Sequence, residues 1–110
     1  MGQTACAVLV GTIVMALAGP AAAGPSFDCH TNKSLTEQVI CADAQLGDLD
    51  TEMANLYFQL ANDSRGRDYQ QLQAEQRDWL KERDSCGADV GCLRAIYRDR
   101  IEVLDDMLGN

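Results

Sequence analysis

The chain has 110 residues, with 17 Asp or Glu against 9 Lys or Arg, 5 Cys and 1 His, for a formal net charge of -8. Such a length fits one small domain. The acidity removes the basic footprint that supplies most non-specific affinity for nucleic acid or anionic lipid, and a single histidine starves most imidazole catalysis and metal ligation.

In chain order, the first element reads as an export signal. No charged side chain precedes Asp28, and Ala5 to Leu17 is almost wholly apolar, short for a bilayer span but long enough for a signal-peptide core. Ala21, Ala22 and Ala23 supply the small residues a signal peptidase needs. The expectation is a signal peptide over 1–23 and a mature domain over 24–110, periplasmic or secreted, with no stable membrane insertion after cleavage. A retained apolar anchor is the alternative. Cys6 precedes the apolar run, so it is badly placed for lipid attachment after cleavage and a lipoprotein reading is disfavoured.

The mature segment retains Cys29, Cys41, Cys86 and Cys92. An even count in an exported chain reads as two disulfides, which matter here because a domain of this size buries only roughly 60 to 65% of its unfolded surface. The remainder reads as helix. Ser34-Leu35-Thr36-Glu37 matches a capping box and predicts a short first helix to about Ala42. Asp43 is a candidate cap for a second helix, where Leu46, Leu49, Met53, Leu56 and Leu60 recur at helical steps. A polar break over 62–67 predicts a turn between antiparallel helices. The third helix then aligns Tyr69, Leu72, Gln76, Trp79 and Arg83, and Gly87 is placed to end it. Asp89 caps a fourth helix with Leu93, Ile96, Tyr97, Ile101, Leu104 and Leu108 at helical spacing. The fold class is therefore all-α, a small disulfide-stapled bundle of three to four helices.

This organisation also suggests the pairing. Cys86 and Cys92 flank the turn between the third and fourth helices, so a bond there staples that hairpin, and Cys29 with Cys41 then ties the irregular arm to the first helix. Both bonds are expected to be structural.

Charge is unevenly spread. Residues 24–63 hold seven acids against Lys33, whereas residues 64–104 hold eight of each sign. The acids Asp48, Asp50 and Glu52 are candidates for a partner-binding face, although carboxylates near a helix start are also favoured by the helix dipole, and that is the preferred reading. Trp79 and Arg83, with Tyr97, have the residue types of interface anchors, yet their spacing beside Leu72 and Ile101 favours core packing. Asp78 and Glu82 share a helical face; a solvated face is favoured over an acid–base pair. No catalytic residues, cofactor or metal site are expected, because Cys-x11-Cys and Cys-x5-Cys do not match a zinc pattern and Asp48-x-Asp50 lacks the rest of a calcium loop.

The residues also resemble a known family. Phe27-Asp28-Cys29, Glu37, Ile40-Cys41-Ala42-Asp43, Leu46, Leu49-Asp50 and Tyr57 are similar to the first half of the lysozyme inhibitor LprI family. Gln76-Arg77-Asp78-Trp79-Leu80, Arg83, Cys86, Cys92-Leu93, Tyr97, Arg100-Ile101 and Leu104 look like its second half. Ala44-Gln45 departs from the Pro-Glu common in the family, and His30 and Asn32 stand where small residues are common. The resemblance implies an exported, helical, disulfide-bonded bacterial domain that inhibits lysozyme by binding. A cationic lysozyme is thus the expected protein partner, and the alternative is a structural or adaptor module of the cell envelope. A small cell-wall hydrolase is the third and least favoured class.

Overall fold

The computed structural model describes residues 25–31 and 33–109, so the expected signal segment at 1–23 lies outside the described residues. Four helices follow one another: α1 (Leu35–Ala42), α2 (Ala44–Asp63), α3 (Gly66–Ser85) and α4 (Val90–Met107). No strand occurs among the described residues.

Local chemistry sets each boundary. The Ser34 hydroxyl accepts from the Glu37 amide at 3.2 Å, and the Glu37 carboxylate accepts from the Ser34 amide at 3.3 Å, completing the capping box. Asp43 ends one helix and starts the next. Its amide donates to the Val39 carbonyl at 3.1 Å while its carboxylate accepts from the Leu46 amide at 3.0 Å, so a single extended residue makes the α1–α2 corner. That cap starts α2 at Ala44 without a proline in the first helical turn.

The α2–α3 turn is tighter than the polar break suggests, because α2 continues to Asp63 and α3 begins at Gly66. Three features permit this. Gly66 takes a φ of +55°, which glycine adopts freely; the Ser64 hydroxyl donates to the Leu60 carbonyl at 2.7 Å; and the Arg65 guanidinium donates to the Asn62 carbonyl at 2.7 Å. At the other end α3 stops at Ser85, and Gly87, with a φ of +58°, turns the chain into α4, whose first turn is capped by Asp89 accepting from the Cys92 amide at 3.0 Å.

The core consists of the predicted stripes. Leu46, Met53 and Leu60 of α2, Leu72 and Trp79 of α3, and Leu93, Tyr97 and Leu104 of α4 are buried, with Ile40 joining from α1. Helix α2 lies along α4 in the most extensive contact of the bundle, α1 packs on α2, and α3 lies along α4. Each fully buried Leu or Ile contributes roughly 1.5–3 kcal/mol relative to exposure. Helix α1 is also anchored to the α3–α4 turn. The buried Thr36 hydroxyl donates to the Gly87 carbonyl at 2.9 Å.

Both expected disulfides are present. Cys29–Cys41 and Cys86–Cys92 have Cα–Cα separations of 5.8 and 5.6 Å, inside the usual range for the bond. The first ties the arm before α1 to that helix, and the second closes the α3–α4 turn.

Candidate functional site

Two polar features interrupt the apolar interior, and both lie where α3 and α4 meet the rest of the bundle. In the first, Asp50 of α2 is fully buried and its carboxylate accepts from the Tyr97 hydroxyl at 2.6 Å and from the Ser26 amide. These donors offset the cost of burying a carboxylate. Burial pushes the Tyr97 phenol well above its ordinary range, and the adjacent Asp50 charge pushes it further in the same direction. Tyr97 in turn meets Trp79 edge-on, with ring centroids 5.2 Å apart. Arg83, also buried, pairs with Asp84 at 2.8 Å and lies 5.7 Å from the Phe27 ring centroid, so the arm covers it.

The second feature opens to the surface. A groove of about 360 Å³ runs between α3 and α4, with Trp79, Ile96 and Val103 as its apolar lining. Arg100 lies in its floor, where its guanidinium donates to the Gln76 side-chain oxygen at 2.9 and 3.1 Å. Burial pushes that guanidinium below its ordinary value, opposed by the charges of Glu75, Tyr57 and Glu82. The rim is acidic: Glu75, Asp78 and Glu82 come from one face of α3 and Asp99 from α4. None of these four carboxylates forms an ion pair among the described residues.

The candidate residues named from sequence separate between these settings. Asp48 and Glu52 are exposed on α2, whereas Asp50 between them turns into the core, so the three do not form one surface. The expected α2 face therefore reduces to Asp48 and Glu52. Trp79 and Arg83 are core residues, as their spacing favoured, and Trp79 also reaches the groove. Asp78 and Glu82 share a solvated face of α3 and both line the rim. Sequence reasoning missed Arg100 as a buried group and Glu75 and Asp99 as rim acids. For Arg100 the signal was available, since it falls between Tyr97 and Leu104 on the buried stripe.

Chemically the groove offers negative charge beside apolar surface, which suits a basic side chain and its aliphatic surroundings. Among the described residues, no group of three or more His, Cys, Asp or Glu side chains is placed to hold a metal ion. None of the described helices is long and apolar enough to cross a membrane.

Residues 29–104 match the protein family described as Lysozyme inhibitor LprI. The chain belongs to this LprI family. Curated relatives include proteins named Lipoprotein LprI from Mycobacterium tuberculosis and Mycobacterium bovis, each 32% identical over 82 residues that cover 72% of this chain. The aligned region is 40% of the length of those relatives, so this LprI chain spans well under half of each. No solved structure matches it. The matched segment begins at Cys29 and ends at Leu104, enclosing both disulfides, α1 to α3, most of α4 and every residue that lines the groove.

Proposed function

We propose that this protein is exported and inhibits a lysozyme by binding it, without chemistry of its own. The match of residues 29–104 to the Lysozyme inhibitor LprI family carries the reading. Two physical features support it. The net charge of -8 steers the domain toward a cationic protein, and animal lysozymes are strongly cationic. Four helices stapled by two local disulfides also present a surface that loses little entropy on binding. The apolar run and the small residues Ala21 to Ala23 after it support export, and intact mass of the processed protein should place the mature start near Gly24.

The decisive test is a turbidity assay on bacterial cell walls with purified, oxidised mature domain. Dose-dependent protection from an added animal lysozyme is the expected result. No protection at high molar excess would leave an envelope adaptor as the better reading, and clearing without any lysozyme would mark a hydrolase.

A further inference from the structure

We infer that the α3–α4 groove is the contact surface for the cationic partner, with Glu75, Asp78, Glu82 and Asp99 receiving a lysine or arginine side chain while Val103 and Met107 meet aliphatic groups beside it. The inference rests on the lysozyme-binding reading and deepens it by naming the surface.

Three observations converge on this seam. The first is shape. The groove of about 360 Å³ has Glu75 in common with a second hollow of about 190 Å³ formed by Ser64, Asp68, Leu72 and Met107 among others, so two hollows lie side by side along the α3–α4 seam. The second is exposed apolar surface. Val103 and Met107, one turn apart on α4, are 48% and 50% exposed; Val103 lines the groove and Met107 the hollow next to it. The third is charge. By count, residues 64–104 are electrically balanced, but Arg83 and Arg100 are only 5% and 8% exposed, while Asp78, Glu82 and Asp99 stand at the surface. Folding thereby turns a balanced stretch into an acidic rim around apolar side chains.

Other surfaces fit a cationic partner less well. Asp48 and Glu52 stand on α2 and line none of the hollows described here. The hollow beside Cys29 and Cys41 is lined by Lys33 and carries no carboxylate. A basic side chain seated at the rim of the α3–α4 groove, above the Arg100 guanidinium in its floor, would instead meet carboxylates from both helices and shed apolar surface at the same time, the combination that makes an interface anchor.

The test compares two charge-reversed proteins, Asp78→Lys with Asp99→Lys and Asp48→Lys with Glu52→Lys, for binding to a cationic animal lysozyme by calorimetry and for protection in the cell-wall assay. All four positions are exposed, and far-UV circular dichroism verifies the fold of each protein. The groove pair should raise Kd by about tenfold or more, against less than about threefold for the α2 pair. Equal losses from both pairs, or a larger loss from the α2 pair, overturn the inference and leave inhibition standing. Wild-type protein that neither binds nor protects overturns both readings together. Should the groove reversal fail to fold, Asp78→Asn with Asp99→Asn replaces it under the same criteria.

Discussion

At the scale of single residues, Asp50 shows how burial decides a role. It stands four residues after Leu46 and three before Met53, on the buried stripe of α2, while its neighbours Asp48 and Glu52 face solvent. Asp50→Ala leaves the Tyr97 hydroxyl without its acceptor and should cost about 1–3 kcal/mol, whereas Asp48→Ala should stay within about 0.5 kcal/mol; urea unfolding of both proteins measures the contrast. Tyr97 carries a pH dependence of definite sign. Its folded-state value is raised, so the folded protein keeps a proton that the unfolded chain releases near pH 10. The stabilisation is complete below about pH 10 and is lost as pH rises above it. Melting temperatures between about pH 9 and 11 should fall more steeply for wild type than for Tyr97→Phe. By spacing, Asp50 and Arg100 fall in line with the buried residues of their helices, but their charge argues for solvent. Their partners, Tyr97 and Gln76, are 47 and 24 residues away in sequence, and no local pattern announces such pairs.

At the scale of elements, the boundaries were the most legible part of the chain. Ser34, Asp43 and Asp89 each cap a helix with their own side chain, and such caps are written in adjacent residues. The groove was illegible for the opposite reason, since it needs Glu75, Asp78 and Glu82 of one helix to be set beside Asp99 of the next, which adjacent residues do not announce. Two glycines allow a test of local conformation. Gly47 sits inside α2, and an added methyl group would meet Pro25 and Ile40 only at ordinary contact distances of 3.8 and 3.9 Å. Gly47→Ala should therefore stabilise by about 0.5–1 kcal/mol. Gly87 holds a φ of +58° in open space, so Gly87→Ala should instead cost about 1–2 kcal/mol from backbone conformation alone. Chemical denaturation of the two variants should give shifts of opposite sign. Replacing both Cys29 and Cys41 by Ser should cost about 3 kcal/mol, and both Cys86 and Cys92 about 2 kcal/mol, because the first bond closes the longer loop. Thermal melts of the two double variants test that order.

At the scale of the whole molecule, the charge of -8 matters through placement rather than total. Residues 24–63 carry the numerical excess, yet residues 64–104 gather four of their acids around a groove and draw two of their cations inward. Association with a cationic partner should consequently be rapid at low salt. Raising ionic strength from about 0.01 to 0.15 M should slow it by about tenfold while changing the dissociation rate far less, as stopped-flow fluorescence of Trp79 can follow.

Both disulfides are local, and neither crosses the tight turn at Ser64 and Arg65. The covalent graph of the described residues therefore holds two separate cross-linked loops joined by backbone alone, one in the half with α1 and α2 and one in the half with α3 and α4. A single cut after Arg65 separates them without any reductant. Only non-covalent contacts then hold the halves together, chiefly the extensive α2–α4 packing with the Thr36–Gly87 hydrogen bond beside it, so the two oxidised fragments, mixed in solution, should reassemble without a covalent link.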